Sequence, residues 1–219
     1  MTRFYLIRHG QTDWNQEKRM QGQHETDLTP LGERQAIALG ERLEDVDFDL
    51  VFSSPQRRAM KTTQLILGKR RDNLPIIPDD ALKEILMGDW QGILIDDLME
   101  RFPEEIDLFW HHPEQYQRDG CETYDEVRKR AGQFMERTAA ENPGKTILVV
   151  THGALLKTLY TYFKYQPISE IAHAVHPLST AMAIVEKRDG IWNVMSWNDT
   201  EHLAQLEEES TASDSANTI

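Results

Sequence analysis

The chain has 219 residues, 39% hydrophobic and 28% charged, which suits one large soluble domain with a substantial core. Its net charge of −13 argues against nucleic acid, which demands a basic footprint, and against an anionic membrane surface. The single cysteine, Cys121, excludes an internal disulfide and a multi-cysteine zinc site, and the apolar run Phe4–Ile7 is too short for a signal peptide or membrane span, so cytoplasmic residence is expected.

In chain order, Phe4–Ile7 reads as a short buried strand with Arg8, His9 and Gly10 at its carboxyl end. Thr29 and Pro30 form a helix start, an N-cap followed by proline at the first helical position, and that helix runs to about Leu43. Leu50–Phe52 is a second strand, followed by Ser53 and Ser54 and then a helix through Ile66. Val127, Ala131, Phe134 and Thr138 keep helical spacing within a helix of roughly Glu122–Glu141. Thr146–Val150 is the clearest buried strand, with Thr151, His152 and Gly153 at its end and a helix over Leu155–Phe163 beyond. Ala181–Val185 and Trp192–Trp197 flank Asp189-Gly190, a hairpin turn. From Glu201 to Ile219 there are five acids and no Lys or Arg, so 201–219 is expected to be an acidic, disordered tail behind a single domain of 1–200.

Strands alternating with helices predict an α/β fold, three layers α/β/α around a mostly parallel sheet. Such sheets bind ligands outside the carboxyl ends of their strands, where Arg8-His9, Ser54 to Arg58 and His152 all fall. A lone histidine is ordinarily structural or solvated, and His24, His111, His112, His173, His176 and His202 keep that reading. His9 and His152 differ because each sits in a His-Gly pair that ends a buried strand. Cations and imidazoles at a sheet edge cost several kcal/mol unless paired, on the order given for desolvated charges, and a bound phosphate would pair them.

Four segments carry a resemblance. LIRHGQTDWN (Leu6–Asn15), SSPQRRAMKTT with Arg58 in a Ser-x-x-x-Arg-Ala-x-x-Thr pattern, LKEILMGDWQG (Leu82–Gly92) and VVTHGALLKTL around His152 resemble, in order and spacing, the motifs of the histidine phosphatase superfamily. The match runs from about Phe4 to Trp197 and is similar to the broad-specificity phosphatase branch of this phosphoglycerate mutase-like fold. The resemblance implies that His9 is the nucleophile and forms a phosphohistidine that water hydrolyses. It implies that Glu84 is the proton donor and that Asn15, Gln21 and Gly22 lie near the phosphate. The chemistry fits these residue types. Neutral imidazole attacks phosphorus without first losing a proton. Arg8 and Arg58 bring planar, permanently charged forks to the equatorial oxygens, and His152, if protonated, adds another cationic donor. Gly153 allows close backbone approach. No cofactor or metal is required, and the partner is a small phosphorylated metabolite.

One departure is Cys121, where the family often has glycine in Gly-Gly-Glu-Ser; a packing role is expected for it. Trp14, Trp90 and Trp110 are read first as packing residues. Two rivals remain, a phosphoglycerate mutase and a non-catalytic phosphate-binding module, with a metal-dependent phosphatase behind them for want of a His-x-His or Asp-rich ligand cluster. The covering segment, near 91–120, speaks against the mutase. Between Gln91 and Gly120 stand Asp96, Asp97, Glu100, Glu104, Glu105, Asp107, Glu114 and Asp119 against only Arg101 and Arg118. That balance, with Phe109, Trp110 and Tyr116 nearby, predicts a preference for uncharged or aromatic leaving groups over 3-phosphoglycerate.

Overall fold

The computed structural model describes residues 1–68, 74–204 and 206. Six strands form one sheet: β1 (Thr2–Arg8), β2 (Leu50–Ser53), β3 (Ile76–Pro78), β4 (Thr146–Thr151), β5 (Met182–Arg188) and β6 (Ile191–Asp199), in the spatial order β3-β2-β4-β1-β5-β6. β1 to β4 run parallel, while β5 and β6 return antiparallel at one edge. The helices are α1 (Asp13–Gln16), α2 (Pro30–Arg42), α3 (Arg57–Leu67), α4 (Ile95–Arg101), α5 (Pro103–His111), α6 (Tyr124–Glu141) and α7 (Gly153–Phe163).

Alternation along the buried strands makes the three layers. Phe4, Leu6, Ile147 and Val149 face one way, onto α6, α7 and the Trp90 region. Tyr5, Ile7, Leu148 and Val150 face the other, onto α2 and α3. Local chemistry sets the element ends. Thr29 caps α2 by accepting from Gly32 N at 3.0 Å, with Pro30 behind it. Thr123 and Glu126 form a capping box, so α6 begins at Tyr124 and not at Glu122. Asp189 and Gly190, with φ of +50° and +80°, turn the β5–β6 hairpin.

β3, α4 and α5 were not anticipated. β3 is a three-residue edge strand ending in proline, too short for a period-2 signal. The first residues of the expected tail, Glu201–Leu203, are ordered. Glu201–Leu203 is a 3-10 turn in which His202 is buried, and Arg42 on α2 binds Asp199 at 2.7 Å and Glu201 at 2.8 Å. The rest of the expected tail, apart from 204 and 206, lies outside the described residues. No described helix is long and apolar enough to cross a membrane.

Candidate active site

The strand order explains the site. β2, β4 and β1 are neighbours, so Ser54, His152 and His9 leave the sheet side by side. His9 N donates to Thr151 O at 2.9 Å and Ser54 N to Val150 O at 2.9 Å, which ties the three strand ends together. The His9 and His152 rings stand 5.2 Å apart, both buried.

His9 Nδ1 lies 2.7 Å from Gly10 O. A carbonyl only accepts, so Nδ1 carries the hydrogen and Nε2 keeps a lone pair. Burial, then the charges of Arg58 and Arg8, hold this imidazole well below its ordinary pKa, so it is neutral near pH 7.

Arg58, in the first turn of α3, is held from three sides. Its Nε donates to His152 Nδ1 at 3.2 Å, Nη1 to His24 O at 2.7 Å, and Nη2 to Gly22 O at 2.7 Å. Burial lowers its pKa to about 10, an effect that Glu84 opposes. Arg8 donates Nη1 to Pro177 O at 2.6 Å, while its buried Nε has no partner.

His152 is held between two partners. Because Nδ1 accepts from Arg58, its proton sits on Nε2, 2.8 Å from Ser54 Oγ. Burial, followed by Arg58 and His9, holds the ring well below its ordinary pKa. Near pH 7 this geometry goes with a neutral ring whose nitrogens are both engaged.

The Glu84 carboxylate sits across the start of α7. Oε1 accepts from Ile85 N at 2.9 Å and Leu155 N at 3.1 Å, and Oε2 from Ala154 N at 3.0 Å. The Ala154 and Leu155 donors are free N–H groups of the α7 N-terminus, a natural seat for an anion, and Ile85 N adds a local third. The Glu84 segment is thereby fixed to the helix that follows His152.

The remaining expected residues take less direct places. Asn15 Oδ1 accepts from Thr12 N and Oγ1, closing α1, and leaves the amide nitrogen without a partner among the described residues. Gln21 Oε1 accepts from Thr26 Oγ1 at 3.0 Å. Gly22 has φ of +52°, and a Cβ there would fall 2.3 Å from Gln91 Oε1; its carbonyl serves Arg58 and Gln56. Gly153 opens α7 beside His176 and Arg8.

Sequence reasoning missed the supports. Gln56 links motifs, accepting from Glu84 N at 2.9 Å and donating to Gly22 O at 3.1 Å. Arg130 on α6 donates to the carbonyls of Ala81, Lys83 and Glu84 at 2.7–3.1 Å and pairs with Glu122, which accepts from Leu86 N. Only Glu122, in the motif beside Cys121, carried a signal. Among the described residues no group of three His, Cys, Asp or Glu is placed to hold a metal ion.

Residues 4–200 match the family model of the histidine phosphatase superfamily (branch 1). The chain belongs to that superfamily. Its relatives include the metal-independent phosphoserine phosphatase of Arabidopsis thaliana, 33% identical over 208 residues (94% of this chain, 85% of that one). The broad-specificity phosphatase YOR283W of Saccharomyces cerevisiae is 31% identical over 212 residues (94% and 89%). Among solved structures, Bacillus stearothermophilus YhfR superposes with a TM-score of 0.89 at 35% identity, covering 93% of this chain and 100% of that one. The fold is phosphoglycerate mutase-like, and the chain is a phosphatase that hydrolyses phosphomonoesters.

Proposed function

We propose that this phosphatase works without a metal, through a phosphohistidine on His9, on small phosphorylated metabolites. The observation that carries this reading is the His9 ring, fixed through Nδ1 with a free lone pair on Nε2 beside two arginines. In the first step Nε2 bonds to phosphorus and the ester P–O bond breaks. Glu84, which takes up a proton as the dianionic ester arrives beside it, gives that proton to the departing oxygen, so an alcohol leaves. In the second step water attacks the phosphohistidine, its proton passes to Glu84, the N–P bond breaks, and inorganic phosphate and neutral His9 are restored.

Arg8 and Arg58 stabilise charge on the equatorial oxygens, taking the part a metal plays in other phosphatases. Arg8 is suited to this by its unpartnered Nε. His152 orients Arg58 through the Nδ1 contact and turns its Nε2–H to the phosphoryl group in place of Ser54. Asn15 offers its spare amide donors, Gly22 holds Arg58 through its carbonyl, and Gln21 acts one step back by holding Thr26, which accepts from Arg58.

Hydrolysis over mutase chemistry is favoured by the cover. Arg118, one of its two arginines, is spent on Asp89 and Glu105 and stacks over Trp90 and Phe102 at 5.0 and 4.8 Å. Arg101 lies exposed over Phe102. Arg118 is therefore not free to retain a phosphoglycerate between transfers.

The test is rapid quenching under neutral or alkaline conditions, since phosphohistidine is acid-labile, followed by mass spectrometry. Label is expected on His9, turnover is expected to survive EDTA, and vanadate is expected to inhibit. A panel headed by phosphoserine, the substrate named for the Arabidopsis relative, then ranks leaving groups. An active His9→Ala variant, or metal-restored activity after chelation, sinks the mechanism. Interconversion of 2- and 3-phosphoglycerate faster than the best hydrolysis, after priming with bisphosphoglycerate, sinks the hydrolase assignment alone.

A further inference from the structure

Arg58 is held by a tight turn that lies far from it in sequence. His24 N donates to Gln21 O at 3.1 Å and closes the turn 21–24, in which Gly22 stands second with φ of +52°, a left-handed value that suits glycine. Two carbonyls of this turn, those of Gly22 and His24, accept from Arg58 Nη2 and Nη1 at 2.7 Å each. The Gly22 carbonyl also accepts from Gln56 Nε2 at 3.1 Å. The other side of the same peptide unit is the N–H of Gln23, which donates to Gln91 Oε1 at 2.6 Å. One peptide group thus bridges Gln91 and Arg58.

That peptide gains from a hold on its N–H side. It is the middle peptide of the turn, so rotating it changes only ψ of Gly22 and φ of Gln23 and leaves the flanking chain in place. Glycine at position 22 removes the steric barrier that a Cβ would set against such a rotation. Rotated, the unit would turn Gly22 O away and leave the buried guanidinium with an unpaired N–H, which is costly for a charged group. Gln91 is firmly mounted to prevent this. Trp90 before it is buried, and Gly92 after it donates its N–H to Met20 O at 2.8 Å and accepts at its carbonyl from Arg19 Nη1 at 2.8 Å. The Gln91 side chain lies over Gly22, where an added Cβ would collide with the amide and displace it from the peptide that it holds.

We propose that Gln91 is a positioning residue for Arg58: its amide oxygen fixes the 22–23 peptide in the orientation that offers Gly22 O to the guanidinium. Gln91 acts through two hydrogen bonds in series, one from Gln23 N and one from Arg58 Nη2, and not through the phosphoryl group itself. It also opens the 91–120 segment, so a shift at the start of that segment reaches Arg58 by the same route. The proposal rests on the part given to Arg58 in the phosphatase reading above.

The test is a double-mutant cycle with Arg58. Gln91→Met keeps the size and removes the acceptor, and it should lower kcat/KM by about tenfold, within the range that a misplaced catalytic group costs. Gln91→Glu, which restores an acceptor oxygen at the same reach, should recover most of that loss. Arg58→Lys cannot use Gly22 O and His24 O together, so in that background Gln91→Met should cost less than about twofold. Equal losses in the two backgrounds mean a merely structural role and overturn the proposal, as does a loss below about twofold in the wild-type background. If Gln91→Met folds poorly, Gln91→Asn, one methylene shorter and out of reach of Gln23 N, takes its place in the cycle. NMR of nitrogen-labelled arginine side chains separates the positioning from the chemistry, because it needs no turnover. The Arg58 Nη signals, assigned by their loss in Arg58→Lys, should be resolved in the unliganded wild-type protein and should average in Gln91→Met. If they do so while His9 carries no phosphoryl label, the positioning stands and the catalytic reading falls. Signals unchanged by Gln91→Met overturn the positioning and leave the His9 chemistry intact.

Discussion

The floor of the site and the 91–120 segment, which the sequence reading expects to cover it, are built on opposite principles. In the floor, charged and titratable groups are buried and each is held by named partners: His9 by Gly10, Arg58 by His152, His24 and Gly22, Glu84 by the start of α7. In the cover, α4 and α5 bury apolar residues such as Leu98, Ile106 and Phe109 and turn their acids to water. The floor is preorganised electrostatics in a dry setting, where a charge is worth most. The cover's charges are solvated and count for little at the phosphorus. A charge inventory along the sequence treats the two alike; their burial separates them.

The largest effect that would test this contrast lies at Glu84. Glu84→Gln removes the transferable proton, so alkyl phosphates should slow by about 10²–10⁴-fold in single-turnover phosphorylation of His9. Nitrophenyl phosphate, whose phenolate leaves without help, should slow by less than about tenfold, which also shows that the start of α7 survives. Equal losses on both substrates remove Glu84 from the acid role.

Arg58 comes next. Lysine has one nitrogen and cannot reach His152, His24 O and Gly22 O together. Arg58→Lys should therefore lose about 10²–10³-fold in kcat/KM, within the range for a preorganised transition-state donor, despite keeping the charge. A loss under threefold would mean that the charge alone matters and that the three-sided hold is incidental.

Much of the floor was legible because strand patterns and motifs coincide. Apolar runs ending in Arg8-His9 and in His152 placed both imidazoles at the carboxyl edge of one sheet before any strand order was known. The state of His152 was not legible, since it depends on β4 lying between β2 and β1, which brings Ser54 and Arg58 to its two nitrogens. Arg130 escaped for a related reason: it acts on residues far away in sequence through side-chain-to-backbone bonds that no periodicity encodes. In the cover, composition is visible but orientation is not, because two short helices broken at Pro103 give too few turns to mark a solvent face.

A buried, neutral floor also predicts how stability depends on pH. His9 and His152 hold folded-state pKa values well below the usual imidazole value. Above about pH 6.5 both folded and unfolded forms are neutral, so nothing is lost there. As pH falls below 6.5 the unfolded chain gains protons that the folded protein refuses at His9 and His152, and also at His176 and His202, both pushed down to about 4 by burial, at about 1.4 kcal/mol per pH unit for each. Urea unfolding at pH 7 and pH 5.5, above the range where most carboxylates titrate, should show this loss. His9→Ala should remove about a quarter of the slope. A slope near zero would mean that the folded protein accepts these protons and that the floor is wetter than its burial implies.

The smallest effect belongs to the cover. Asp96, Asp97 and Glu100 are exposed on α4, and Asn, Asn and Gln in their places keep size while removing three charges. A unit charge about 10 Å from another in water contributes only ~0.4 kcal/mol before screening. One Debye length, about 8 Å at physiological salt, removes most of that. Even with a doubly charged substrate, the triple variant should change kcat/KM for 3-phosphoglycerate by no more than about threefold, and by less as salt is raised. If neutralising α4 instead speeds 3-phosphoglycerate tenfold at physiological salt, those carboxylates must face the pocket during turnover. The cover would then move on binding, and its acidity would set specificity.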